Sequence, residues 1–255
     1  MTDAFRLAFG TLTAMPTPPP SRVDRGTAMR AMLLAPVTAV PPALVAVLAH
    51  LVVVDGAMPP MVAAALVLGL IALWSRGLHL DGLADTVDGL ASGFDRDRAL
   101  EVMRRGDVGP SGVAALLILL LVQFACLSSL LTTRRGVVLV VVAVLASRYV
   151  LVWGCWERTP AARHTGLGAA VSGSVPTLAA VAASSIMLGV GVALPALFAT
   201  TRWYAGPLVV VAAALGAGWV LLVGLRRLGG VTGDVLGATV EVACSAALLL
   251  SAVLA

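Results

Sequence analysis

The stretch SGVAALLILLLVQFACLSSLL, residues 111–131, contains no charged side chain. A helix of that length rises about 30 Å, which matches the hydrocarbon thickness of a bilayer. Comparable apolar runs cover 31–54, 60–78, 136–156, 177–199, 206–225 and 238–255. Backbone at that depth must satisfy its own hydrogen bonds, so these runs are expected to be helices. The two-residue alternation of a membrane barrel is missing. The predicted fold is all-α: a polytopic transmembrane helix bundle of about seven spans, six to eight, forming a single domain over 1–255. Composition agrees, since 60% of residues are hydrophobic and 12% charged. A soluble protein of this length needs about twice that charged share.

Charge then orients the bundle. All basic residues apart from histidine are arginine, and the net charge is +4. Thirteen arginines precede the first span or follow the second, fourth and sixth; three fall in the opposite connections, and Arg148 lies inside a span. The positive-inside bias places the richer side, with residues 1–30 and 79–110, in the cytoplasm and the C-terminus outside. The excess is a topology signal rather than a nucleic-acid surface. Residues 1–30 do not read as a cleaved signal peptide, because Pro16, Pro18, Pro19 and Pro20 follow a short apolar stretch. This segment is expected to lie against the membrane or re-enter it. Cys126, Cys155 and Cys244 are scattered within spans and read as small buried hydrophobes.

Acidic residues carry the functional signal. Asp81, Asp85, Asp88, Asp95, Asp97, Glu101 and Asp107 crowd into one connection. If span two continues as a helix, the i, i+4, i+7 spacing of Asp81, Asp85 and Asp88 puts them on one face. Three carboxylates there repel each other unless a cation sits among them. Oxygen ligands without cysteine suit Mg²⁺ or Mn²⁺. A solvated helix face would intersperse lysine or arginine, whereas 79–93 contain neither. Gly82 and Gly89 would leave room for a phosphate beside the acids. Arg76, Arg104 and Arg105 flank the cluster and suit a diphosphate clamp, and 95–106 reads as a short amphipathic surface helix. His79 could be a general base, a phosphate ligand or a plain helix residue.

A second polar tract, residues 229–241, precedes the last span. Its glycines could form an anion nest. Glu241 shares a helical face with Asp234 and, being costly in a span, should point inward, as should Arg148. Thr232 or Asp234 could instead simply cap the helix.

Together these tracts resemble the adenosylcobinamide-GDP ribazoletransferase (cobalamin synthase) family. His79-Leu80-Asp81-Gly82-Leu83-Ala84-Asp85-Thr86-Val87-Asp88-Gly89-Leu90 is similar to its first signature. Gly229-Gly230-Val231-Thr232-Gly233-Asp234-Val235-Leu236-Gly237-Ala238 is similar to its second. Ala161-Ala162-Arg163 with Gly166-Leu167-Gly168-Ala169-Ala170 resembles its middle segment. Two places depart from the pattern: Arg105-Gly106-Asp107 stands where Asp-Ser-Arg is frequent, and Thr13-Ala14-Met15-Pro16 lacks a frequent arginine.

The resemblance implies transfer of phosphocobinamide from adenosylcobinamide-GDP to α-ribazole or its 5′-phosphate, releasing GMP, with Mg²⁺, or Mn²⁺, as cofactor. It implies a multi-pass protein of the bacterial inner membrane with a cytoplasmic site. Its partners would be those substrates and membrane lipid, not nucleic acid; association with other nucleotide-loop enzymes or with a second copy is compatible with it. Implied catalytic residues are Asp81, Asp85, Asp88, Asp234 and His79. Implied substrate contacts are Arg76, Arg104, Arg105, Asp107, Arg163, Thr232 and Gly233. Asp81, Asp85, Asp88, Asp234 and Glu241 would serve the metal, and the 5′-hydroxyl of α-ribazole would attack in line. Two rivals fit less well. A CDP-alcohol phosphotransferase needs Ala-Arg two residues after its Asp-Gly, and here Asp85-Thr86 follows instead. An ion-coupled transporter would spread its acids through the spans rather than collect them at one face.

Overall fold

The computed structural model describes residues 2–198 and 202–255. Helix α1 (Asp3–Leu12) is followed by α2 (Arg25–Leu34). A 3-10 stretch, Ala35–Ala39, carries Pro36 and leads into α3 (Val40–Val54). Then come α4 (Pro60–Trp74), α5 (Leu78–Ala91), α6 (Arg96–Val102), α7 (Pro110–Leu130) and α8 (Arg134–Tyr149). The single turn α9 (Leu151–Gly154) extends α8. The remainder is α10 (Leu167–Val171), α11 (Thr177–Leu197), α12 (Ala205–Leu228) and α13 (Gly233–Leu254). Among the described residues, β pairing is limited to two isolated parallel bridges.

Six segments are long and apolar enough to cross a membrane, and the α4–α5 pair makes a seventh only with an 85° bend. The sequence predicts one span over 60–78 running on into the acidic segment; the chain instead breaks at Ser75–Gly77. Arg76 and Gly77 adopt left-handed φ of 55° and 71°. The Gly77 N–H reaches back to the Ala72 carbonyl at 2.8 Å, which ends α4. The Arg76 guanidinium bonds the carbonyls of Gly10 and Thr11 at 2.8 and 3.3 Å, which holds the unusual turn. Helix α5 therefore turns 85° away from the axis of α4. Other limits move less: the first crossing starts at Arg25 and the last at Gly233. Residue 199 of the expected fifth span lies outside the described residues. The surface helix expected over 95–106 is the shorter α6.

Helices α8 and α13 form the centre. Helix α8 is apolar on nearly every side, and Leu139, Val140, Val142 and Val144 are fully enclosed. Helix α13 presents Gly237, Ala238, Ala243 and Ala247 at buried positions. Small residues allow close helix approach, which matters in lipid because packing rather than water exclusion drives association. The outer helices expose Leu48, Leu117, Ile118, Ile186 and Trp219, as lipid-facing positions would. The N-terminal helix α1 packs against α2 and the 3-10 stretch. Leu7, Ala8 and Leu12 are buried where α1 meets α2. The proline stretch then doubles back, and the Ser21 N–H donates to Asp3 at 3.1 Å.

Candidate active site

The two polar tracts meet where α5 crosses α13. The crossing is backbone against backbone. A Cβ on Gly82 would sit 2.7 Å from the Asp234 carbonyl oxygen, and one on Gly237 would sit 3.2 Å from the His79 Cα. This corrects the expectation that Gly82 and Gly89 make room for a phosphate: Gly82 makes room for α13, and Gly89 for the Met103 side chain and Ala99 carbonyl of α6.

Helix α13 starts at Thr232, whose Oγ1 accepts from the Val235 N–H at 3.1 Å and donates to the Asp234 carboxylate at 3.2 Å. Thr232 is thus the cap, and the Asp234 side chain, not needed for capping, lines the cavity described below. The middle tract clamps this turn. The Val231 N–H donates to Pro160 and the Ala162 N–H donates to Val231, both at 2.9 Å. Gly168 packs so closely that a Cβ there would lie 2.7 Å from the Thr232 backbone. Arg163 links the parts: Nη2 donates to Leu100 at 2.7 Å, and Nη1 lies 3.6 Å from Asp234 Oδ2. Its Nε is buried without a partner.

Around this junction lies a cavity of about 200 Å³ whose wall includes Asp81, His79, Arg163, Thr232, Gly233 and Asp234. Asp85 is buried one turn along α5 from Asp81. Its burial, followed by repulsion from Asp81, Asp234 and Asp88, pushes its carboxyl up to about 6, against an opposing pull from Arg163. The acids of both tracts therefore share one field.

Asp88 departs from the expected triad. Its two oxygens accept the N–H groups of Gly109 and Gly112 at 2.7 and 2.8 Å, so it caps α7. Glu241 is also removed from the site. It lies about 10 Å deeper along α13, where its carboxylate accepts from Gln123 at 3.1 Å and feels the buried Arg148. The sequence expectation that Arg148 and Glu241 face inward agrees with their 3% and 6% exposure. Arg76 is committed to α1, as described. Arg104, Arg105 and Asp107 are exposed between α6 and α7, away from the cavity wall, and Arg105 pairs with Glu101 at 3.0 Å.

Two arginines that read only as topology signals also shape the site. Arg96 donates to the carbonyls of Leu228 and Ala162, both at 2.8 Å. Arg227 donates to Gly93 at 2.6 Å and stacks over Phe94. Thr11 and Leu12 of α1 join the cavity wall; nothing in their local sequence announces this.

Among the described residues, no three His, Cys, Asp or Glu side chains stand at metal-ligand spacing. The donor chemistry nevertheless fits a hard divalent cation. Asp81, Asp85 and Asp234 offer oxygen alone, and the repulsion felt at Asp85 is what a cation would relieve.

The family described as cobalamin-5-phosphate synthase matches residues 4–252. A protein of Nocardioides sp. named adenosylcobinamide-GDP ribazoletransferase is 45% identical, covering 98% of each chain. Proteins of the same name from Frankia casuarinae and Ectopseudomonas mendocina are 38% and 35% identical. The first covers 97% of this chain and 93% of its own; the second covers 96% of each. No solved structure matches.

Proposed function

The chain belongs to the cobalamin-5-phosphate synthase family, and on that premise we propose that it joins adenosylcobinamide-GDP to α-ribazole or its 5′-phosphate, releasing GMP. The observation that carries this reading is the meeting of two tracts about 150 residues apart at one cavity bearing acids and an arginine. Displacement at a diphosphate asks a protein mainly for alignment and charge neutralisation. An acceptor hydroxyl oxygen bonds to the cobinamide-linked phosphorus, the bond from that phosphorus to the GMP oxygen breaks, and the hydroxyl proton leaves. The family's description puts a phosphate at position 5 of the product. With the 5′-phosphate as acceptor O5′ is occupied, and the attacking oxygen is a secondary ribose hydroxyl. This replaces the 5′-hydroxyl expected from sequence.

Arg163 supports the diphosphate role: its guanidinium borders the cavity with Nη1 beside Asp234, where its charge can neutralise a phosphate. Asp234, on the cavity wall, is the candidate proton acceptor where it does not hold the metal. Mg²⁺ or Mn²⁺ held by Asp81, Asp85 and Asp234 would supply further neutralisation of the diphosphate charge. The arginine bias supports a bacterial inner-membrane location with the site facing the cytoplasm.

The test is GMP release by purified protein given adenosylcobinamide-GDP and each acceptor, with Mg²⁺ and with chelator. Release that requires acceptor, corrinoid nucleotide and metal is expected. Absence of GMP release with both acceptors in the presence of Mg²⁺ would overturn the reading.

A further inference from the structure

His79 lies where α5 crosses α13, but its ring does not serve the cavity. Both ring nitrogens are buried without a hydrogen-bond partner, and the charge that acts on them is that of Arg148. Arg148 comes from the central helix α8, where its Nη1 donates to the Ser147 hydroxyl at 2.7 Å. Its charge also acts on Glu241. Glu241 follows Gly237, the residue packed against the His79 backbone, by four positions, one turn deeper on the same face of α13. Gln123 of α7 donates to Glu241 at 3.1 Å and to Ser245 at 3.0 Å. Polar side chains of α5, α7, α8 and α13 thus gather in one buried cluster, deeper in the bundle than the crossing.

The chemistry of the cluster is complementary. A neutral imidazole offers one donor and one acceptor, whereas a guanidinium offers donors alone and a carboxylate acceptors alone. Arg148 cannot shed its proton, and a charge held inside a span is stable only beside polar partners. An imidazole and a guanidinium that do not bond directly can be joined through one water. On a helix, side chains two residues apart point about 200° from each other. With the His79 ring turned into the bundle, Asp81 is turned to the cavity. Resting on the function proposed above, we propose that His79 is a positioning residue: joined to Arg148, it locks the rotation of α5 against α13 and so aims Asp81 at the centre it shares with Asp234. His79 then takes no part in proton transfer.

The test is a double-mutant cycle on the purified protein, read by steady-state GMP release and by melting in chelator. His79→Leu should lower kcat by about 10- to 100-fold, the loss that a misplacement of about 1 Å brings, and leave both KM values within about threefold. His79→Gln, which again offers a donor and an acceptor, should recover most of kcat. Arg148→Met should lower kcat as well. The double variant should be no slower than the slower single one, because the two side chains act as a unit. Melting temperatures should show the same non-additivity. A ring that merely fills space predicts the reverse: His79→Leu would keep its turnover and melt no lower, since it removes two unbonded polar atoms. That outcome would overturn the proposal, as would losses that multiply in the double variant. The comparison of leucine with glutamine at position 79 decides even where Arg148→Met does not fold. If the wild type releases no GMP, the function proposed above falls, and the melting cycle alone judges the anchor: non-additive losses uphold it and additive losses overturn it.

Discussion

Replacing Asp85 by asparagine should make the metal-free protein more stable while abolishing its chemistry. Asparagine preserves the shape and removes the charge. Burial and three neighbouring carboxylates raise the Asp85 carboxyl from its ordinary 3.8 to about 6. At 1.36 kcal/mol per pH unit, that corresponds to about 3 kcal/mol against the charged form. Residual exposure to solvent screens part of it, so about 1–3 kcal/mol is expected. For a chain of this length that is a rise in Tm of roughly 2–10 °C.

The sign also fixes the pH window. The folded protein holds the Asp85 proton more tightly than the unfolded chain does. Wild type therefore loses stability as pH climbs from about 4 through about 6, and Asp85→Asn does not. The gap should be full at pH 7.5, narrow as pH falls, and close near about pH 4. The assay is thermal unfolding in detergent with chelator, repeated with Mg²⁺, which should stabilise wild type more than the variant. GMP release, measured in parallel, should be lost from the variant. A variant that melts below wild type at pH 7.5 in chelator, or that keeps near-normal turnover, would refute the reasoning.

Asp88→Ala should behave in the opposite way: it strips the cap from α7 and should lower stability by about 1–3 kcal/mol, seen as a lower melting temperature at pH 7.5 whether or not Mg²⁺ is present. An unchanged melt would show that the cap contributes nothing. Gly82→Ala should force α5 from α13, because its Cβ would meet the Asp234 carbonyl at 2.7 Å; near-normal melting and turnover in this variant would argue against the backbone crossing. Single cysteines at Arg104 and Ala255, in a background lacking the three native ones, should label from opposite sides of the membrane, and labelling of both from one side would sink the assigned topology.

The helical membrane class was legible from local sequence, because twenty apolar residues in a row leave a chain no other way to satisfy its backbone in lipid. The clustering of Asp81 and Asp85 was legible too, whereas their nearness to Asp234 came only from the crossing of α5 with α13. The clamp roles read for Arg76 and Arg104 did not carry over. Arg76 finds the α1 carbonyls of Gly10 and Thr11, 66 and 65 residues earlier in the chain, and Arg104 is exposed. Spacing along a helix says which side chains share a face, but not which neighbour that face will meet. Asp88 shares the face of Asp81 and Asp85 by spacing, yet α7 begins beside it and takes both its oxygens. Glu241 shares the face of Asp234, yet its depth in the bundle gives it to Gln123. What tertiary structure decided was the break at Arg76–Gly77 and the contact of Gly82 with α13. Both depend on long-range packing of α1 and α13, and together they turn two distant acidic tracts into one cavity.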